Sequence, residues 1–307
     1  MVLDELYCRR CGNTTNFKKT SKGYYCEACK QFGRYYVDIL PSVKRWKLAS
    51  VKNSDYQLNY MLSKKQRHCA KEIIEGVKEN KDVLVYAACG AGKTEMVMPL
   101  ITYCFQNKLK VGMAIPRKEV VVELHQRFKE SYPKKTIVAV YGGNHEVIDG
   151  DFVLCTTHQL FRYEKAFDVL IVDEVDAFPY ANNKVLEGMV EYAHKQCKVL
   201  LTATPSNELL ELAQKGELKL VTLFERYHQG KLCIPKVHIG YTWYLYVRLF
   251  EFLKKYQNKT TLVFVPSIQM ANQLGKLLSI FAKNVLVLTS QSENRELANI
   301  EMKEHKY

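Results

Sequence analysis

One short run limits what this chain can fold into more than any other: Ala87-Ala88-Cys89-Gly90-Ala91-Gly92-Lys93-Thr94, between the apolar run Val83–Ala87 and a helical pattern opening at Thr94. A strand that turns through glycines into a helix leaves backbone N–H groups bare around the turn. With the helix dipole behind them they cradle phosphate oxygens. Gly90, Ala91 and Gly92 let the backbone approach, Lys93 sets a cation at the β/γ oxygens, and the Thr94 hydroxyl suits Mg²⁺. Ala87 stands where the general pattern has glycine.

The surroundings fit such a turn. Short apolar runs at Val83–Ala87, Val111–Ile115, Ile137–Tyr141, Phe152–Cys155, Val169–Val172 and Val199–Thr202 predict strands. They lack polar alternation, so they belong to a sheet covered on both faces. Helical patterns between most of them, at Gln66–Asn80, Thr94–Gln106 and Lys118–Glu130, make that sheet parallel. The expectation is a doubly wound α/β domain over 61–205.

A second acidic signal lies downstream. Asp168-Val169-Leu170-Ile171-Val172-Asp173-Glu174-Val175-Asp176 reads as a buried strand ending in carboxylates. Asp173 at the strand tip would hold Mg²⁺, and Glu174 would orient and polarise a water for in-line attack on a phosphoryl group. With Lys93, these are the candidate catalytic residues of an ATPase.

Ten cysteines divide into two sets. Six are scattered singly, the usage of a reducing compartment. The others form Cys8-x2-Cys11 and Cys26-x2-Cys29, the spacing of a closed tetrahedral structural Zn²⁺ site. Two disulfides are the alternative, disfavoured by the six lone thiols. A segment of ~40 residues is too small to hold a core by burial alone, so metal ligation would fold it. The expected organisation is a ribbon over 1–40, a basic linker over 41–60, the α/β domain over 61–205, a connector over 206–240 and a partial second α/β unit over 241–307. In that unit we expect helices at Tyr244–Tyr256 and Ser267–Lys283 and strands at Thr261–Pro266 and Val285–Thr289.

Net charge is +13, from 45 Lys and Arg against 32 Asp and Glu. That surplus favours a polyanionic partner, nucleic acid first. Tyr24, Tyr25, Phe32, Tyr35 and Tyr36 alternate with lysines and Arg34 in the ribbon, as in surfaces that stack single-stranded bases, although about half of those rings are expected in the ribbon core. No run reaches the ~18 apolar residues of a membrane span. The opening Met1–Glu5 lacks the basic and apolar parts of a secretory leader, so a cytoplasmic protein is expected.

The motifs together resemble the superfamily 2 helicases. Asp173-Glu174-Val175-Asp176 and Thr202-Ala203-Thr204-Pro205 look like motifs II and III, and Gln66 in Leu62-Ser63-Lys64-Lys65-Gln66 is similar to the Q motif. Pro116-Arg117 resembles motif Ia, and Thr156-Thr157-His158-Gln159-Leu160 resembles motif Ib. Two paired-cysteine knuckles ahead of that core, with Glu225–Leu232 and Pro235 beyond it, most resemble the ComFA family of competence helicases. The resemblance implies two RecA-like lobes and a zinc ribbon. It also implies ATP read by Gln66, coupling through Asp176, Thr202 and Thr204, and nucleic-acid contacts at Pro116, Arg117, Thr156 and Thr157. The implied function is a translocase or helicase acting on single-stranded DNA, with membrane-channel or other competence proteins as partners, in the cytoplasm or at the inner face of the membrane. A non-catalytic binding adaptor and an RNA or replication-restart helicase are the alternatives. The family's motif VI, with its arginine finger, has no counterpart after Thr289, where Arg295 is the one arginine. Weak turnover by this chain alone is the corresponding expectation.

Overall fold

The computed structural model describes residues 6–39, 44–48, 50–52, 54–58, 61–225, 235–282, 284–289 and 291–292. Most of Glu225–Leu232 and the stretch from residue 293 on, including Arg295, lie outside them. Two units are distinguished, Met1–Lys231 and Leu232–Tyr307.

The first unit opens with a hairpin, β1 (Phe17–Thr20) and β2 (Gly23–Cys26), paired antiparallel. Its main body is a seven-stranded, all-parallel sheet in the order β5-β6-β4-β7-β8-β3-β9. The strands are β3 (Asp82–Ala87), β4 (Val111–Ile115), β5 (Ile137–Val140), β6 (Phe152–Thr156), β7 (Phe167–Val172), β8 (His194–Thr202) and β9 (Leu218–Leu223). Between them run α1 (Lys64–Lys78, before β3), α2 (Lys93–Gln106), α3 (Lys118–Ser131), α4 (Lys184–Ala193) and α5 (Asn207–Gln214). All six strands expected from the apolar runs are present. This is a single RecA-like α/β domain.

Period-two geometry splits each strand between two cores. Val83, Val85, Met113, Ile171, Val199 and Leu201 pack under α1, α2 and α3. Leu84, Ala114, Leu170, Val172 and Leu200 face the opposite side, with α4, Tyr163 and the four ribbon cysteines. Both faces are covered, which is why these runs show no polar alternation.

Two expected boundaries move. The sheet does not close at residue 205, because β9 pairs in parallel with β3 from Asp82↔Leu218 to Ala87↔Leu223. Residues 218–223 mix buried with exposed positions, Leu220 and Thr222 being exposed, as suits an edge strand with one neighbour. The 41–60 segment, expected as a linker, is strapped along the domain wherever it is described. Lys47 N–H donates to Asp149 at 2.9 Å, Ser50 N–H to Asp151 at 3.1 Å, and Trp46 packs on Tyr163 at 5.2 Å. Buried Lys110 donates to the Lys47 carbonyl at 2.9 Å, and Lys135 to the Lys52 carbonyl at 3.1 Å. The strap thus supplies the acceptors of the Lys135 ammonium at Ser50, Lys52 and Ser54, and one acceptor of Lys110, which also donates to Asp149 and the Gly150 carbonyl.

The second unit contains α6 (Thr242–Lys255) and α7 (Ile268–Phe281), matching the expected helices. Thr261–Pro266 and the described 284–289 are not strands, contrary to expectation. A strand needs a neighbour to form its ladder, and none is present among the described residues of this unit. Phe264 is accordingly 89% exposed.

Candidate nucleotide and metal sites

Strand order builds the nucleotide site. Strands β3 and β7 flank β8, all three point the same way, and the turns after β3 and β7 therefore emerge at one edge. Two strand spacings, about 10 Å, separate them, room for a nucleotide's phosphates. Gly90 (φ 77°) and Gly92 (φ 82°) take left-handed backbone in the turn, conformations costly for any other residue. A Cβ on Gly92 would also come within 2.4 Å of Gln66 Nε2. Ala87 is still a strand residue, paired with Leu223, so glycine is not needed there. Lys93 opens α2, and its ammonium arcs back over the turn to the Ala87 carbonyl at 3.2 Å. Thr94 follows in the first turn.

Gln66 is buried and has two structural partners. Its Oε1 accepts from Ser63 N–H at 2.9 Å, and Ser63 Oγ accepts from Gln66 N–H at 3.1 Å, a capping box starting α1. Its Nε2 donates to the Ala91 carbonyl at 2.9 Å. Gln66 thus braces the phosphate turn, a role the sequence pattern does not disclose.

At the tip of β7, Asp173 is buried, with its N–H on the Ala114 carbonyl at 2.9 Å. Burial pushes its carboxyl up to about 6, while the positive charge of Lys93 pulls it down. The charge of Lys93 thus reaches the Asp173 carboxyl. Glu174 N–H donates to Asp173 Oδ1 at 3.0 Å, and Glu174 sits at φ 50°, a left-handed conformation costing about 1–3 kcal/mol in a non-glycine residue. Its Oε2 is buried without a hydrogen-bond partner among the described residues, and Arg117 Nε lies 3.9 Å away.

Asp176 connects two loops. Its Oδ1 accepts from Thr202 Oγ1 at 2.6 Å, its Oδ2 accepts from Thr204 Oγ1, and Thr204 N–H donates to Thr202 Oγ1 at 3.0 Å. Burial alone would raise the Asp176 pKa, yet those two hydroxyl bonds hold it below the ordinary value. The resemblance-derived coupling residues are joined in one network.

The four resemblance-derived nucleic-acid residues behave differently from one another. Arg117, ahead of α3, is exposed, whereas Pro116, Thr156 and Thr157 are buried. Pro116 follows β4, Thr156 ends β6 and Thr157 opens the 3-10 turn after it, and none of the three offers a solvent-facing contact. The 3-10 turn Thr157–Arg162 after β6 packs on the ribbon instead.

In the ribbon, Cys8, Cys11, Cys26 and Cys29 are buried, with all four Sγ atoms within 4.8 Å of one another. Cys8–Cys29 and Cys11–Cys26 Sγ separations are 3.8 and 3.6 Å. A Zn–S bond of about 2.3 Å in a tetrahedron gives S···S of about 3.8 Å, and a disulfide about 2 Å. The geometry fits zinc. The ribbon's rings do not divide as expected: of the five only Tyr25 is buried, with Arg34 over its face, while Tyr24 lies under Lys19 and Phe32 and Tyr35 pack on the α/β domain rather than in a ribbon core.

A parallel sheet with a phosphate turn and a carboxylate strand tip on either side of one intervening strand, preceded by a four-cysteine cluster, defines a P-loop domain of the superfamily 2 helicase type. Residues 59–207 match the family described as type III restriction enzyme, res subunit (ResIII). The chain carries a superfamily 2 helicase domain related to the ComFA competence proteins. It is 36% identical over 239 residues to the competence protein ComFA of Bacillus subtilis, covering 75% of this chain and 52% of that protein. It is 32% identical over 288 residues to ComFA of Streptococcus pneumoniae, covering 89% and 66% respectively. The chain thus spans about half to two thirds of the relatives it matches. The SWI2/SNF2 ATPase core of Sulfolobus solfataricus in complex with dsDNA is similar at TM-score 0.42 and 16% identity, over 52% of this chain and 35% of that one. Among the described residues, no helix is long and apolar enough to cross a membrane.

Proposed function

We propose that this chain forms the ATP-binding part of a motor that hydrolyses ATP when single-stranded DNA is bound, and that it serves DNA uptake beside membrane-channel and other competence proteins at the inner face of the membrane. The observation that carries the reading is that the phosphate turn after β3 and the acidic tip of β7 emerge at one edge of the sheet on either side of β8, with the charge of Lys93 acting on the buried Asp173 carboxyl. Gly90, Ala91, Gly92 and Lys93 hold the phosphates, and Gln66 keeps the turn in shape. Thr94 and Asp173 would hold Mg²⁺, which would supply charge neutralisation at the phosphoryl group. Glu174 orients the attacking water. Asp176, Thr202 and Thr204 link the β7 and β8 tips, so a change at the nucleotide moves both loops. Arg117 faces solvent beside this edge, where a DNA phosphate can reach it. Kinship with the ComFA proteins supports the DNA-uptake role and the choice of single-stranded DNA.

Phosphate release with and without oligonucleotides at fixed salt tests the reading, since phosphate contacts make affinity salt-dependent. Single-stranded DNA is expected to stimulate turnover and RNA to compete poorly. Lys93→Ala is expected to lower turnover by ~10²–10³-fold, the effect of losing one charge-stabilising donor, with zinc content unchanged. Equal stimulation by RNA, or undiminished nucleotide affinity in Lys93→Ala, would overturn it.

A further inference from the structure

Arg10 lies between the first two cysteines of the ribbon and is only 4% exposed. Among the described residues, no carboxylate comes within 4.0 Å of it. All three of its guanidinium nitrogens are nonetheless engaged. Nε reaches Cys29 Sγ at 3.3 Å and Nη2 reaches the same sulfur at 3.0 Å. Nη2 also donates to the Cys29 carbonyl at 2.8 Å and the Gly33 carbonyl at 2.6 Å, and Nη1 to the Phe32 carbonyl at 3.3 Å. The Tyr35 ring lies beneath it at 5.1 Å. A permanently charged, buried guanidinium without a counter-ion is strongly destabilising. Among the described residues, the negative group that its N–H donors contact is the Cys29 sulfur, with Glu164 acting on the neighbouring Tyr35 and Tyr192, and four thiolates around Zn²⁺ carry two net negative charges.

We propose that Arg10 is the positioning residue of the metal centre. It offsets the excess charge of the tetrathiolate, holds Cys29 on the metal, and carries the metal's presence into the helicase domain. The second half follows from what it grips. The Phe32 carbonyl is one of its acceptors, and the Phe32 ring packs against His158 at 5.9 Å and Phe161 at 5.7 Å. Both belong to the 3-10 turn after β6. On the other knuckle, the Cys11 carbonyl presses on Gly188 of α4 so closely that a Cβ there would meet it at 2.2 Å. Tyr35, under the guanidinium, meets Tyr192 of the same helix edge-on at 6.1 Å. Metal, Arg10, Phe32 and the turn after β6 form one continuous packed line. This inference does not depend on the ATPase reading and can fail without it.

The zinc-loaded full chain and its Arg10→Ala and Arg10→Lys variants provide the test. Outer-shell partners of metal ligands typically change metal affinity by ~10–100-fold. Chelator-driven zinc release, followed with a chromogenic dye, is expected to quicken by that factor in Arg10→Ala. Arg10→Lys, a point charge that cannot bridge sulfur and three carbonyls, is expected to fall between. With Co²⁺ in place of zinc, the thiolate-to-metal charge-transfer band is expected to move to longer wavelength in both variants, because a sulfur relieved of hydrogen bonds is easier to oxidise. A generally loosened ribbon would not shift that band. Amide exchange over 157–162 is expected to quicken even at one zinc per chain. If Arg10→Ala does not fold, Arg10→Lys decides the matter. Wild-type zinc release with an unshifted cobalt band would overturn the metal-centre role, and unchanged exchange over 157–162 would overturn the link to the domain.

Discussion

The ribbon and the parallel sheet are both buried at their centres, yet opposite chemistry is buried in each. The sheet closes on Val, Ile and Leu side chains that need only to be removed from water, and its strands alternate them between two apolar layers. The ribbon closes on four sulfurs and an arginine, groups that are costly to bury unless they answer one another. The ribbon cysteines nevertheless belong to the same packed cluster as Leu186, Met189 and Val190 of α4. A segment too small for its own core has borrowed one wall from its neighbour and staples the rest with metal. Independence in sequence is therefore not independence in folding.

Breaking the staple is the severest way to test that contrast. Cys26→Ser is expected to take zinc from one per chain to none, measured by metal analysis, forfeiting most of the roughly 10–16 kcal/mol typical of such sites. From sequence alone the ribbon would unfold and leave 61–205 untouched. The shared cluster changes that expectation: hydrogen exchange is expected to quicken in the ribbon, in α4 and in 157–162, while β3, β4 and β7 keep their protection. Unaltered protection of α4 would restore the ribbon's independence.

The sheet holds a costly group of its own, on a smaller scale. Asp173 is pushed up to about 6 by burial, against about 3.9 in an unfolded chain. Between these values the folded protein binds more of a proton than the unfolded one, so this carboxyl makes stability fall as pH rises from about 4 to about 6. Two pKa units correspond to about 3 kcal/mol. Asp173→Asn is accordingly expected to be more stable than wild type at pH 7, by up to about 3 kcal/mol in denaturant titrations without nucleotide, and the gap is expected to vanish near pH 4. ATP turnover in the same variant is expected to collapse. A variant no more stable at pH 7 than wild type would mean that Asp173 is not strained by its position.

What the sequence disclosed follows the same division. The phosphate turn and the acidic strand tip were legible because strand, turn and carboxylate follow one another within a few residues and need no distant partner. The four cysteines were legible because metal geometry constrains their spacing. Strand β9 was not, since Lys219 and Thr222 interrupt its apolar residues and its pairing with β3 spans well over a hundred positions. The strap was hidden for a related reason: Lys47 and Ser50 gain their partners at Asp149 and Asp151, and nothing local announces it. Gln66 was visible as a motif residue, but its grip on Ala91 was not. The burial of Thr156 and Thr157 also escaped pattern reading, because a hydroxyl side chain gives no signal of which way a loop folds.

The smallest expected effect lies where the sheet's edge meets solvent. Arg117 is 64% exposed at its side chain, and its Nε stands 3.9 Å from Glu174 Oε2, a buried oxygen without a hydrogen-bond partner among the described residues. Exposed ion pairs of this kind contribute about 0.2–1 kcal/mol, equivalent to a factor of roughly 1.4–5 in an equilibrium. A DNA phosphate offers the guanidinium a stronger, bidentate partner, so strand binding and the hold on Glu174 compete for one side chain. Arg117→Ala is expected to raise DNA-free turnover by no more than about 5-fold and to reduce the ratio of DNA-stimulated to DNA-free turnover. Arg117→Lys is expected to restore part of the ratio, because it keeps the charge without the fork. Both rates come from phosphate-release assays at one salt concentration. If Arg117 merely helped to bind the strand, the DNA-free rate would stay at the wild-type value and only the DNA concentration for half-stimulation would rise. The DNA-free rate therefore separates a residue that waits for DNA from one that restrains Glu174 until DNA arrives.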